Sequence, residues 1–283
     1  MQDRGTVLVV GGSRGIGLAI ARKFAVEGFD LFLVARKASA LASAAKMLEE
    51  SGTRVATLAI DATEKAAPAL ILQALQQCPE ALHYAVISIG AWRSGSTADL
   101  DEASLQALID TNTVAPHLLQ RSLMPILERQ RGGILFVGSL AGCMPLPWLS
   151  AYAASKAHLH ASVLSLREEM HGLGVNVCLL APGAVRTEFI SWSSDSRWRW
   201  FVELLASTPE TVAQAAYCGL RSDVPLIVPG VLWRLVWLGI RILPAPVLRR
   251  LSRLVLRGPG ETRRASPGTA DAPGSIAPER SGR

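Results

Sequence analysis

Two kinds of apolar pattern alternate along the chain. Residues 6–10, 31–35, 55–60, 84–89, 134–139, 175–180 and 225–228 are short runs in which most positions are apolar. Runs of that length and continuity suit strands covered on both faces, as in a parallel sheet. Between them lie longer segments in which apolar residues recur at helical intervals. One follows Gly17 through Leu18, Ile20 and Phe24; the others are 38–51, 66–77, 104–131 and 150–171. Thr208-Pro209-Glu210-Thr211 is a capping sequence that starts one more. Strand and helix thus alternate, which predicts an α/β protein: a Rossmann-type, doubly wound parallel sheet in a single domain, residues 1–230. Asn112 falls inside the 104–131 helix with Pro116 shortly after it, so a local disturbance of the helical hydrogen bonding is expected there.

Past Gly230 the pattern changes. Residues 231–257 are apolar, with Arg at 234, 241, 249, 250, 253 and 257 and no acid, and predict a basic, amphipathic C-terminal helical extension. Arg234 and Arg241, seven apart, share a face, read as lying opposite Trp233 and Trp237. The arginines leave no window of the roughly 18 uncharged apolar residues that a membrane span needs. Two roles remain for this segment: peripheral contact with a membrane surface, or packing over a pocket or a second subunit. Residues 258–283 hold five Gly, four Pro and one large aliphatic, Ile276, too little to bury a core, and are expected to be disordered.

Composition narrows the class. The chain has 283 residues, 49% of them apolar, enough for one large core. The net charge of +6 gathers in the last quarter, and no nucleic-acid partner is expected. Cys78, Cys143, Cys178 and Cys218 form no C-x-x-C pair; they read as small buried hydrophobes in a reducing compartment, with no metal. The first strand begins near Thr6, leaving no room for a secretory signal, so a cytoplasmic location is expected.

The chemistry centres on residues 132–156. Ser139 ends an apolar strand; Tyr152 and Lys156 lie four apart near the start of a helix, so both side chains leave one face. An ammonium beside a phenol favours the phenolate and lowers a pKa that is about 10 when unperturbed, which suits proton transfer near neutrality. At the other end of the chain, Gly11-Gly12-Ser13-Arg14-Gly15-Ile16-Gly17 joins strand to helix. That is the context in which backbone amides and a helix N-terminus receive a dinucleotide pyrophosphate. Arg36-Lys37 follow the second strand, about 20 residues past the last glycine, where an arginine pairs with the 2′-phosphate of NADP and a carboxylate would select NAD. Arg14 adds a second cation, so the expected cofactor is NADP(H). Two loops are apolar: Met144-Pro145-Leu146-Pro147-Trp148, and a lid at about 188–207 holding Phe189, Trp192, Trp198, Trp200 and Phe201. They predict an apolar or lipid-like substrate.

A strand-end serine thirteen residues before Tyr-x-x-x-Lys, inside Gly138-Ser139-Leu140-Ala141-Gly142, closely resembles the short-chain dehydrogenase/reductase (SDR) family, and the resemblance extends over about residues 5–190. It implies an oxidoreductase that moves hydride between the nicotinamide and a carbonyl or secondary alcohol. In that likeness Tyr152 exchanges the proton, Ser139 hydrogen-bonds the developing oxyanion, and Lys156 holds the ribose and lowers the Tyr152 pKa. Asn112 helps bind a relay water. Asp61 accepts from the adenine amino group, although it could equally be a helix cap, and Gly90 keeps the backbone close to the cofactor. In the Pro182-Gly183 loop the Val185 backbone meets the nicotinamide amide, and Thr187 a phosphate or the carboxamide. Such enzymes often pair through the equivalent of the Ala153, Ala157, Ala161 and Leu164 face, which predicts a homodimer or homotetramer. His158 and His160 read as structural or surface residues. Two departures stand out: Val10 replaces the usual Thr, and Ser88-Ile89-Gly90-Ala91 replaces Asn-Asn-Ala-Gly, losing an amide that ties strands together. The alternatives on the same fold are a catalytically silent NADP-binding sensor and a membrane-surface interaction protein.

Overall fold

Seven strands and the helices between them follow the expected alternation in a computed structural model, which describes residues 5–187 and 205–255. The strands are β1 (Thr6–Val10), β2 (Asp30–Ala35), β3 (Val55–Ala59), β4 (Leu82–Ile87), β5 (Gly133–Val137), β6 (Asn176–Leu180) and β7 (Leu226–Ile227). All pair in parallel, in the order β3-β2-β1-β4-β5-β6-β7. The order reverses between β1 and β4, and the crevice at their carboxyl ends is where a doubly wound sheet binds its ligand.

Side chains alternate across the sheet and fill two cores. Val7, Val9, Leu31, Leu33, Leu135 and Leu180 pack on one side with α1 (Gly15–Val26), α2 (Ala38–Glu49) and α7 (Pro209–Arg221). Leu8, Val10, Phe32, Ile134, Phe136 and Leu179 pack on the other with α3 (Ala67–Leu75), α5 (Ala115–Gln130) and α6 (Ser150–Glu169). Only strands covered on both faces are continuously apolar for this reason; β3, at the edge, is half-exposed. Two boundaries move relative to the sequence reading. Strand β4 runs from Leu82 to Ile87, so Ser88 and Ile89 lie beyond it, and β5 ends at Val137, so Ser139 lies two residues past the strand.

The 104–131 segment divides where Asn112 and Pro116 predicted trouble. An α-helix, α4 (Glu102–Ile109), passes into a π-helical turn at Asp110–Val114 and then into α5. Two short helices close the described chain: α8 (Val231–Ile242) and α9 (Ala245–Val255), joined through Leu243 and Pro244. No helix among the described residues is long and apolar enough to cross a membrane. The aromatic lid residues Phe189 to Phe201 and the 258–283 tail lie outside the described residues.

The cysteines depart from expectation. Cys178 is buried, but Cys78 and Cys143 are half-buried and Cys218 is exposed, because Cys218 falls on the outer face of α7. No group of three or more His, Cys, Asp or Glu that could hold a metal occurs among the described residues.

Candidate active site

A cavity of about 800 Å³ follows the carboxyl ends of the strands. At one end the β1–α1 loop brings backbone so close that glycine is required. A Cβ on Gly11, which has φ of +87°, would meet the Ser88 carbonyl oxygen at 2.3 Å, and one on Gly17 would meet the Gly11 carbonyl oxygen at 2.2 Å. The loop is therefore a bare backbone cradle that ends at the N-terminus of α1. Thr187 stands over it, its methyl 3.6 Å from where a Cβ on Gly15 would lie. Ser13, Arg14, Ile16, Arg36 and Lys37 line this end.

Asp61 lies beside Arg36 at this end. Its Oδ1 accepts from the Thr63 amide at 3.0 Å and the Thr63 hydroxyl at 2.8 Å, and its Oδ2 is 3.9 Å from Arg36 Nη1. It holds its own turn and is no cap for α3, which starts six residues later. These features fit a nicotinamide dinucleotide. When bound, that cofactor supplies or accepts the hydride.

The other end of the cavity carries the polar trio. Ser139 is held by a bond from the Ala141 amide to its Oγ, at 3.1 Å. Tyr152 and Lys156 rise from the first turns of α6, and the Trp92 ring stands edge-on to Tyr152 with centroids 6.1 Å apart. Burial pushes the Tyr152 phenol up, and hydrogen bonding by Ser139 pulls it partly back. Lys156 lines the same cavity as Tyr152. Its Nζ donates to the Val137 carbonyl at the end of β5, at 3.1 Å, and burial brings its own pKa down from 10.5 to about 8. The i, i+4 spacing gives the shared helical face, while the strand-end carbonyl that receives the ammonium comes from another element.

Asn112 sits at the centre of the π-helical turn, and its side chain is fully used. Oδ1 accepts from the Ala91 amide at 2.7 Å, while Nδ2 donates to the Ala91 carbonyl at 2.8 Å and to Ser155 Oγ at 2.9 Å. Ser155 Oγ in turn donates to the Tyr152 carbonyl at 2.8 Å. Asn112 thus joins the segment after β4, which includes Gly90, to the helix that carries Tyr152.

Several neighbours carried no signal that the motif reading used. Trp92 follows Gly90-Ala91 directly. Ser155 was hidden inside Tyr-x-x-x-Lys. His160, one turn beyond Lys156, is buried with its Nδ1 3.7 Å from Cys143 Sγ and its Nε2 close behind Gly138. Burial and the nearby Lys156 charge bring its pKa down to about 4. His158 is exposed and shares a hydrogen bond with His117 at 2.9 Å between their Nε2 atoms. Trp233, in the C-terminal extension, lines the cavity. A Cβ on Gly183 would lie 2.1 Å from its ring, so the Pro182-Gly183 loop is backed by α8. Val185 bridges to Ser207 just beyond. The Arg-opposite-Trp reading of α8 is corrected for one pair: Arg241 lies over the Trp237 ring at 5.7 Å, because residues four apart are neighbours on a helix.

A parallel sheet reversing at β1/β4, a glycine cradle at that point, and Ser139, Tyr152 and Lys156 around one cavity define a nicotinamide-dependent oxidoreductase acting on alcohol and carbonyl groups. The short chain dehydrogenase family profile matches residues 5–197, and the chain belongs to that family. It is 30% identical to the ketoacyl reductase HetN of Nostoc sp. over 224 residues, 79% of this chain and 77% of that protein. A short-chain dehydrogenase from Sphingobium yanoikuyae, solved in complex with NADPH, superposes with a TM-score of 0.72 at 26% identity, over 92% of this chain and 99% of that one. A 7β-hydroxysteroid dehydrogenase shares the fold, with a TM-score of 0.79 at 21% identity over 88% of this chain and 96% of that one.

Proposed function

We propose that the protein is an NADP(H)-dependent oxidoreductase for an apolar, lipid-like carbonyl compound or secondary alcohol. The observation that carries this reading is the polarity of the cavity. Arg14, Arg36 and Lys37 meet at one end with Asp61 the carboxylate lining that end, whereas Trp92, Met144, Leu146, Leu149 and Trp233 line the other. A guanidinium fork suits a 2′-phosphate, and an apolar slot suits an alkyl or ring body. The NADPH bound to the Sphingobium relative supports the cofactor, and the ketoacyl substrate named for HetN supports a carbonyl on an extended chain.

In this reading Tyr152 gives its proton to the carbonyl oxygen during reduction and takes it back during oxidation, and Ser139 donates to the same oxygen. Lys156 and the Val185 and Thr187 segment hold the ribose and nicotinamide end. Gly11, Ser13, Arg14, Gly15, Ile16 and Gly17 hold the pyrophosphate and its neighbourhood. The exposed Ala157, Ala161 and Leu164 face of α6 suits a second copy of the chain, whereas Ala153 is already buried within its own.

Steady-state kinetics test the cofactor. NADPH should be preferred over NADH at least about tenfold in kcat/KM, the equivalent of one charge-assisted contact of roughly 1.5–3 kcal/mol. Arg36→Asp should erase or reverse that ratio. Equal use of both cofactors by the wild type would remove the role given to Arg36 and Arg14. A panel of short and long-chain ketones and alcohols, followed by absorbance of the reduced nicotinamide, tests the substrate class.

A further inference from the structure

Helix α8 has two apolar faces, and among the described residues one of them packs against the rest of the chain. At about 100° per residue, Trp233, Val236, Trp237 and Ile240 fall on one side. That side meets the protein: Trp233 and Trp237 pack against Leu140, Ala181 and Val228. Val231, Leu235, Leu238 and Ile242, at i, i+4, i+7 and i+11, form a stripe on the other side, with exposures of 74, 62, 47 and 71%. A water-facing helix surface is ordinarily polar, and a continuous aliphatic stripe marks a docking face. Helix α9 extends it. Val247, Leu251 and Leu254 lie half-exposed along one side, with Arg250 beside Leu254 and Arg253 and Arg249 farther round the same flank.

The charge identifies the occupant. Arg234 and Arg241 flank the α8 stripe on one side, Arg234 also donating to the Val228 carbonyl at 3.0 Å, and Arg249, Arg250 and Arg253 flank that of α9; residues 224–255 contain no carboxylate. A second copy docking here about a twofold axis would set the same cations against themselves. An anionic lipid surface satisfies both features, because acyl chains receive the aliphatic stripes and headgroups receive the guanidinium groups. The helices lie on such a surface and do not cross it, since twelve residues span roughly 18 Å against a hydrocarbon core of about 30 Å.

The face is also continuous with the cavity. Leu232, Trp233, Val236, Ile240, Leu251 and Ser252 line its wall from the same two helices. We propose that α8 and α9 dock the protein on an anionic phospholipid bilayer and open the cavity mouth toward substrate dissolved there. The second half rests on the lipid-like substrate reading above; the docking itself does not.

The test uses the full chain and sedimentation with vesicles of phosphatidylcholine alone or mixed with phosphatidylserine. Partition onto the mixed vesicles at low salt should exceed that onto phosphatidylcholine at least tenfold and should fall steeply in 0.5 M salt. Leu235→Glu with Ile242→Glu, both exposed and outside the cavity wall, should lower partition at least tenfold. The same variant should keep wild-type turnover of a short, water-soluble ketone with the preferred nicotinamide, which shows that the fold survives. A wild type that ignores phosphatidylserine vesicles at low salt overturns the proposal. So does a double variant that binds them as well as wild type, or one that merely converts a dimer to a monomer in sedimentation without lipid. Vesicle binding without turnover of a long-chain ketone in those vesicles would instead overturn the substrate reading and leave the docking intact. Turnover of that ketone without vesicle binding would do the reverse.

Discussion

Replacing Lys156 with Met should make the protein more stable while removing its activity. The ammonium is fully enclosed, and burial lowers its pKa from 10.5 to about 8. A gap of that size corresponds to roughly 3 kcal/mol of folding free energy at about 1.4 kcal/mol per pKa unit. The sign follows from proton counting. Between pH 8 and 10.5 the unfolded lysine binds a proton that the folded one has released, so stability rises with pH through that window. Below pH 8 both states are charged and the full cost is present. Met keeps the unbranched stem and volume, so little cavity forms. It loses the bond to the Val137 carbonyl, worth about 1.5 kcal/mol for a charged donor. The balance leaves Lys156→Met about 1–2 kcal/mol more stable at pH 7. Urea unfolding of nucleotide-free wild type and variant at pH 7 and at pH 10, compared at equal m, reads it. The variant's advantage should shrink or reverse at the higher pH. A variant that is less stable at pH 7, or whose offset does not change with pH, would refute the reasoning.

Two further outcomes follow from the site. Tyr152→Phe should retain nucleotide affinity by fluorescence titration but lose nearly all turnover, at least 100-fold, since it removes only the proton donor; wild-type turnover on a substrate whose chemical step limits the rate would discard the assignment. His160, held neutral with a pKa of about 4 against 6.5, should cost stability progressively as pH falls from about 6.5 toward 4, up to roughly 3 kcal/mol. In His160→Gln that acid limb should be shallower in urea unfolding at pH 7 and pH 4.5, and an unchanged slope would show that His160 does not titrate in this way.

The strands were legible because most are covered on both faces. Residues such as Val7 to Val10 and Ile134 to Phe136 are wholly enclosed, and that environment leaves a continuous apolar run in the sequence. The boundaries at Ser88 and Ser139 were less so, since an apolar or small residue past a strand end still lines the cavity. Asn112 was legible as a disturbance because an amide mid-helix with proline near it conflicts with regular α-helix. Its partners were not, as Ala91 and Ser155 lie 21 and 43 residues away. The same limit applies to Lys156. Spacing gives the face from which a side chain leaves, but the Val137 carbonyl that receives it belongs to another element. His160 lies on the same helix yet turns inward to Cys143, and two histidines two residues apart, outside any ligand cluster, carry no sign of which one faces in.

The contacts of Asn112 explain how the site accommodates its departure after β4. With Ser88-Ile89 in place of an amide pair, that segment lacks the side chain expected to tie it to its neighbours. The structure supplies two other ties. The Ser88 amide donates to the Val10 carbonyl at 2.8 Å, which keeps the segment beside the glycine cradle. Asn112 then clasps Ala91 through both its amide and its carbonyl and passes the connection through Ser155 to the Tyr152 backbone. Neither tie uses the side chain of residue 88 or 89, so those positions are released to fit the cavity and the β1 loop. A serine suffices at 88, where its Cβ already lies 3.2 Å from the place a Cβ on Gly17 would occupy. The close backbone approach that the glycines permit is therefore held by main-chain bonds and by one buried asparagine, and the departure in sequence leaves the geometry around Ser139 and Tyr152 connected.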